Sequence, residues 1–230
     1  MVRDSGLLEG FCDYHSHLLP SVDDGVEKPE ETLKILEEWE ALGVSEVWLT
    51  PHIMDDIPNT PDELRTKFLW LKDLYHGGIN LHLAAENMID SLLLLRLAEG
   101  NLLSMGEAHL LIETSYYNPP FNMEKVIDMI MERGYSPILA HPERYRYMDA
   151  DDYKKWKQKG VLLQLNLPSI VGAYGYEAEK KAEKLLKKGM YDCCGSDTHT
   201  LDSAMYFLDY MINKKTMKYI HSMKNAKIPI

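Results

Sequence analysis

A chain of 230 residues, 45% hydrophobic and 27% charged, has the size and composition of one soluble domain with a sizeable core. The 36 Asp and Glu outweigh 25 Lys and Arg, and a net charge of −11 argues against nonspecific nucleic-acid binding, which needs clustered cations. The apolar run Leu92 to Leu95 between Asp90 and Arg96 is, like every other in the chain, far short of the ~20 residues of a membrane span. Residues 1–10 lack the apolar region of a signal peptide and read as a short tail, so a cytoplasmic protein without membrane insertion is expected. The three cysteines make no spaced framework; adjacent Cys193 and Cys194 would form only a strained bridge, so reduced thiols are expected.

The elements alternate in type along the chain. A short apolar run into Asp13 opens as a strand. Pro29 with Glu30 and Glu31 suits a first helical turn, and Ile35, Leu36, Trp39 and Leu42 recur near helical spacing until Gly43. Val44 to Thr50 reads as a strand ending at Pro51-His52. Thr60-Pro61-Asp62-Glu63 is a capping box with proline in the first turn, and Leu64, Phe68, Leu71 and Tyr75 mark one helix face. Asn80 to Ala85 is a strand ending at Glu86, Ile89 to Ala98 a short helix, and Leu110 to Ile112 a strand ending at Glu113. A helix over Met123 to Arg133 stops at Gly134, and Pro137 to Ala140 is a strand ending at His141. Asp151 to Lys159 and Glu177 to Lys188 read as helices, Val161 to Asn166 and Tyr191 to Cys194 as strands. The last strand runs into Gly195-Ser196-Asp197-Thr198-His199; from Ser203 the chain reads as helical, then irregular toward Pro229.

About seven β-then-α units imply a parallel sheet with right-handed crossovers. Without a break in composition, they suggest an α/β fold of one domain: a distorted (β/α)7 barrel of TIM-barrel-like type over residues 11–214, with a tail over 215–230. An open doubly wound sheet is the alternative. No glycine-rich loop follows the first strand, so no nucleotide cofactor is expected.

His15 and His17 stand two residues apart in the first strand and its end, where i and i+2 share a face. A polar turn through Asp23, Asp24 and Gly25 returns carboxylates toward them. That stretch alone reads equally as half a metal site or as a core histidine beside a solvated turn. The other strand ends weigh on the choice. They carry His52, Glu86, Glu113, His141, Asp197 and His199, and a barrel gathers these ends at one mouth. A single such histidine is more often structural, and a single carboxylate more often a cap. Such a residue at nearly every strand end is not readily explained by chance.

Taken together, Asp13-x-His15-Ser16-His17, Asp23-Asp24-Gly25, Thr50-Pro51-His52, Ala85-Glu86, Ile112-Glu113, His141-Pro142-Glu143-Arg144-Tyr145 and Ser196-Asp197-x-His199 resemble the polymerase and histidinol phosphatase (PHP) superfamily. The resemblance is closest to its bacterial capsule-associated metal-dependent protein-tyrosine phosphatases, and it runs from about Phe11 to Asp202. It implies three divalent transition-metal ions (manganese, iron or zinc) held by His15, His17, Asp24, His52, Glu86, Glu113, His141, Asp197 and His199. Four carboxylates against three divalent ions would leave the site at roughly +2 inside an acidic protein, a trap for a phosphate dianion.

The implied activity is phosphotyrosine hydrolysis, with a metal-bridging hydroxide attacking phosphorus in line. The implied partner is a phosphotyrosine protein, a bacterial tyrosine kinase tail that governs capsular or exopolysaccharide synthesis. A small-metabolite phosphatase of the histidinol-phosphatase type and a non-catalytic metal-binding regulator are the alternatives. Arg144 suits a bidentate phosphate clamp, with a salt bridge to Glu143 or Asp149 as the other reading. A cysteine phosphatase is excluded: Leu18, His199 and Thr200, not arginine, stand six residues beyond Cys12, Cys193 and Cys194. The second arginine often found after the Asp-x-His motif is absent from Thr200-Leu201-Asp202-Ser203-Ala204. Tyr116, Tyr117, Tyr145 and Tyr147 can flank a phenyl ring or simply pack within their loops. Oligomeric state has no signature in the sequence.

Overall fold

The computed structural model describes residues 1–224. Strands β1 (Cys12–Ser16), β2 (Glu46–Leu49), β3 (His52–Ile53), β4 (Asn80–Leu83), β5 (Glu86–Met88), β6 (His109–Glu113), β7 (Ser136–Ala140), β8 (Leu162–Asn166) and β9 (Cys193–Gly195) pair in parallel throughout. Helices α1 (Pro29–Ala41), α2 (Pro61–Leu74), α3 (Ser91–Glu99), α4 (Met123–Glu132), α5 (Ala150–Lys159), α6 (Tyr176–Lys187), α7 (Leu201–Asp209) and α8 (Lys214–Lys224) accompany them. The result is a mixed α/β fold with a curled parallel sheet. Hydrogen bonding runs β1-β2-β4 on one side and β3-β5-β6-β7-β8-β9 on the other.

Two expected strands, Val44 to Thr50 and Asn80 to Ala85, are each followed after a break by a further short strand, β3 and β5. Pro51 lacks an N–H, so the ladder cannot run on from β2 into β3. The neighbouring strand breaks at the same level, at Ala84-Ala85, and Glu86 N donates to Thr50 O and Pro51 O at 3.3 and 3.1 Å. The shared break sets His52 opposite Glu86. A bulge does similar work in β1: Asp13 and Ser16, three steps apart, match Val47 and Leu49, two steps apart. The extra residue re-aims the side chains beyond it. Past the bulge, His17 N donates to Thr198 O at 3.0 Å and Asp197 N to His15 O at 2.8 Å, tying the first strand to the segment after the last.

Most of the core lies between sheet and helices, with Ile35, Leu36 and Trp39 of α1, Leu64 and Leu71 of α2, and Ile127 and Ile130 of α4 buried. Thr60 and Glu63 form the expected capping box, with Pro61 in the first turn of α2. A smaller cluster, including Tyr14, Trp48, Leu111, Ile138 and Ala140, is distinct from that layer. Residues 1–10 are not a free tail. Val2, Leu7 and Leu8 are buried, and Val2 N and Arg3 N donate to Tyr210 O and Leu208 O at 2.8 and 2.9 Å. Their apolar side chains make that segment part of the core. Much of the expected C-terminal tail is α8, which buries Ile220; the irregular end toward Pro229 lies outside the described residues. Among the described residues no helix is long and apolar enough to cross a membrane.

Close approach sets one sharp demand. A Cβ on Gly195 would lie 2.4 Å from His15 Cβ and 2.8 Å from His15 N. Gly195→Ala is expected to destabilise the protein by about 1–3 kcal/mol, as overpacking does, lowering the midpoint of urea denaturation. An unchanged midpoint would contradict this packing.

Candidate metal centre

The ends of the strands deliver their side chains to one place. His15 and His17 arrive from β1 and its continuation, His52 from β3, Glu86 from β5 and Glu113 from β6. His141 follows β7, Asp197 and His199 follow β9, and Asp24 comes from the loop after β1. All nine fall into four overlapping groups whose ligand-type atoms lie within 4.8 Å of one another: His17, Asp24, His52 and His199; His15, Glu86 and His141; His15, His17 and Asp197; His52, Glu86 and Glu113. All are buried except Asp24, which is exposed, and His199, which is half-buried.

Glu86 is the hub. Its Oε2 lies 3.2 Å from His15 Nε2, 3.4 Å from His17 Nε2 and 3.2 Å from His52 Nδ1, while Oε1 is 3.0 Å from His141 Nε2. Yet Glu86 Oε2 and His52 Nδ1 are fully buried without a hydrogen bond, a costly state for polar atoms.

The histidine tautomers sharpen the point. Gln164 Nε2 donates to Leu165 O at 2.8 Å, so its Oε1, 3.0 Å from His15 Nδ1, accepts a hydrogen bond from that nitrogen, which carries the ring proton. Asp23 Oδ2 accepts from His17 Nδ1 at 2.8 Å. In the neutral rings both Nε2 atoms then present lone pairs to each other, 3.0 Å apart. Only a proton or a cation between them relieves that. A metal ion fits, and the hydrogen-bonded far nitrogens are how metal-binding histidines are held.

Asp197 is prepared in the same way. Its Oδ2 accepts from Arg144 Nη1 at 2.5 Å, Asn166 Nδ2 at 2.8 Å and the Tyr174 hydroxyl at 3.4 Å. Its Oδ1 is left facing His15 Nε2 and His17 Nε2 at 3.4 and 3.3 Å. Burial opposes its charge, but His15, His17, His141 and Arg144 together hold it well below the usual carboxylate range. Glu86 is held low likewise, burial being outweighed by His15, His141 and His17. Exposed Asp24 is held at about 2, chiefly by His199. His141 and Asp197 also take the left-handed backbone region, at φ 33° and 51°, conformations that cost non-glycine residues roughly 1–3 kcal/mol each.

A cavity of about 380 Å³ opens over the cluster, walled by Asp24, His52, His141, His199, Arg144 and Tyr174 among others. The Arg144 guanidinium sits between two aromatic faces, 4.4 Å from the Tyr116 ring centre and 4.1 Å from that of Tyr174. Neither carboxylate considered as its salt-bridge partner is engaged with it: Glu143 accepts from Asn166 N and the Tyr191 hydroxyl, and Asp149 caps α5. Its ion pair is with Asp197.

Residues 11–226 match the family described as "Capsular polysaccharide synthesis, CpsB/CapC". The chain belongs to the CpsB/CapC family. It is 25% identical over 230 residues to CapC of Staphylococcus aureus, covering 95% of this chain and 90% of that one. It is 24% identical over 229 residues to tyrosine-protein phosphatase CpsB of Streptococcus pneumoniae, covering 94% and 93%. Tyrosine-protein phosphatase YwqE of Bacillus subtilis (strain 168) is 26% identical over 198 residues, covering 83% and 78%. A structure from work on YwqE and CpsB, described as unique metal-dependent tyrosine phosphatases, superposes with a TM-score of 0.72 at 22% identity, covering 95% and 96%. At that identity the superposition speaks for the fold.

In this family member the sequence reading overlooked the residues that orient the others. Gln164 and Asn166 are polar residues buried at the end of β8, a signal present in Leu-Leu-Gln-Leu-Asn. Tyr174 sits beyond that strand without a motif to mark it. Asp13, buried under His15, accepts from Ser196 N and His15 N, and burial pushes it up to about 6 despite them. Tyr145, considered as a possible flank for a phenyl ring, is buried and accepts from Thr114 N, whereas Tyr116 does line the cavity.

The metal-free protein has a defined pH response. Burial lowers the affinity of His15 for a proton, but Glu86 and Asp197 outweigh it and raise the residue from 6.5 to about 9. Stability from a raised histidine is complete below its unfolded value and is lost as pH rises through its folded value. With chelator, the denaturation midpoint is therefore expected to fall between about pH 6.5 and 9. With manganese the fall should be absent, because a metal-held imidazole is already neutral. Parallel curves with and without metal would contradict this.

Proposed function

We propose that this chain is a metal-dependent phosphomonoesterase acting on phosphotyrosine in proteins. The observation that carries the reading is a buried carboxylate ringed by imidazole nitrogens, at the floor of a cavity whose wall holds Arg144. The names of CpsB and YwqE as tyrosine-protein phosphatases support the substrate class. The partner we propose is the tail of a bacterial tyrosine kinase controlling capsular or exopolysaccharide synthesis, with the protein in the cytoplasm. The backbone bonds between β1 and the segment after β9 support a distorted (β/α)7 barrel over residues 11–214.

His15, His17, Asp24, His52, Glu86, Glu113, His141, Asp197 and His199 would hold three divalent ions, the overlap of their groups at Glu86 suiting a shared carboxylate. Manganese, iron and zinc all accept such mixed donors. When bound, divalent ions there supply Lewis-acid charge for phosphoryl oxygens and make water a stronger acid. The chain's own part is positional. Asp23 and Gln164 fix the two histidine tautomers, and Asp197 with the two tyrosine rings aims Arg144. Arg144 can then donate to the phosphate oxygens as charge builds on them.

Elemental analysis of the purified protein and aryl phosphate hydrolysis with and without chelator test this together. Bound transition metal and chelator-sensitive hydrolysis are expected; the absence of both would refute it. A phosphotyrosine peptide should be turned over in preference to histidinol phosphate, the reverse order pointing to a metabolite phosphatase. Arg144→Ala should lower kcat on the order of 100-fold, as loss of a transition-state donor does, with metal content unchanged. Loss of metal in that variant would show Arg144 to be a support for Asp197 instead of a substrate group.

A further inference from the structure

We infer that the groove leading from the site past Tyr117 and Arg146 receives the substrate peptide on one side of its phosphotyrosine and selects an acidic side chain there. The inference rests on the phosphotyrosine reading and goes beyond it to the substrate's flanking sequence. A peptide whose phosphotyrosine enters the site cavity has to leave it along the surface, and two cavities adjoin it. One, of about 610 Å³, shares Tyr116, Arg144 and Tyr174 with the site and continues to Tyr117, Arg146 and Tyr176. The other, of about 460 Å³, shares Tyr174, Asp197 and Ser203 with the site and is lined by Asp202 and by no lysine or arginine.

Among the described residues, Arg146 is the cation on the larger groove's lining that is exposed and has neither an ion pair nor a side-chain hydrogen bond. Arg144 is paired with Asp197, and Lys181 Nζ donates to Tyr145 O and Met148 O at 2.6 and 2.9 Å. Arg146 is exposed, its guanidinium 4.8 Å from the centre of the Tyr117 ring, and it makes no ion pair among the described residues. Of the two carboxylates on the lining, Glu143 is buried and accepts from Asn166 N and the Tyr191 hydroxyl; Glu177 stands exposed in the first turn of α6. The groove floor is fixed, because Arg146 N donates to Tyr116 O at 2.8 Å.

Spacing supports the assignment. Arg144 and Arg146 flank Tyr145, whose backbone is extended at φ −75° and ψ 114°. Both arginines line the larger cavity, and an extended residue between them separates their Cα atoms by roughly 6–7 Å. With the phosphate at Arg144, a carboxylate two or three residues along a peptide falls within reach of Arg146. The exposed rings of Tyr117 and Tyr176, 62% and 67% accessible, offer apolar faces for the intervening chain. The opposite exit has no cation on its lining to set against Asp202, so an acidic residue on that side gains nothing.

The test is a set of phosphotyrosine peptides with paired glutamates before the phosphotyrosine, after it, or replaced by glutamines, with an aryl phosphate as reference. At low ionic strength, glutamates on one side only should raise kcat/KM relative to the aryl phosphate about fivefold, the upper range for an exposed ion pair. The gain should lie in KM, fall with salt, and vanish in Arg146→Gln. Equal gains on both sides, or a gain that survives Arg146→Gln, would overturn the groove assignment while aryl phosphate hydrolysis still upheld the phosphatase. Failure to hydrolyse either substrate class would overturn the phosphatase reading and the inference with it.

Discussion

Four imidazole nitrogens stand 3.0–3.4 Å from the buried carboxylate of Glu86, and much of the fold serves to keep them there. Without a cation the arrangement is expensive: lone pairs face lone pairs unless a proton is taken up between them, and buried acceptors lack donors. The protein nonetheless commits ordered structure to it. Pro51 breaks a strand so that His52 faces Glu86, a bulge in β1 turns the side chains beyond it, and His141 and Asp197 sit in strained backbone. Gly195 leaves room for His15 because no side chain fits in its place. Such local costs are tolerated where a bound group offsets them.

Electrostatics link the cluster to its opening. Asp197 uses one oxygen for protein donors and keeps the other for the centre, and Arg144 is one of those donors. The arginine is therefore held at the rim by a centre residue on one side and by aromatic faces on two others. In a chain of net charge −11, this places a guanidinium where a phosphate entering the cavity meets it. Where the family resemblance calls for a second arginine, the chain has a helix start. Thr200 and Ser203 line the cavity there, their hydroxyls engaged in the cap of α7.

The parallel α/β alternation and the nine converging residues were legible because strand ends in a parallel α/β chain face one way, and nearly every end carried a histidine or carboxylate. The resemblance to known phosphatases added the expected role of each. The features that could not be read there depend on long-range contact. Nothing local in Val44 to Glu86 announces that two strands break at one level. Gln164 and Asn166 look like ordinary strand residues until His15 and Asp197 lie against them. Residues 1–10 read as a tail because four apolar side chains in ten signal no element of their own; only the surface that Val2, Leu7 and Leu8 cover makes them core. Arg144 was recognised, but its partner came from a segment 53 residues away.

The central claim is that the cluster is shaped to hold cations. Crystals of the protein grown with manganese and measured for anomalous scattering test it most directly. Three anomalous peaks are predicted among the nine residues, with Glu86 contacting more than one of them. Density for ordered water alone, with His15 and His17 hydrogen-bonded to each other through a proton, would contradict it.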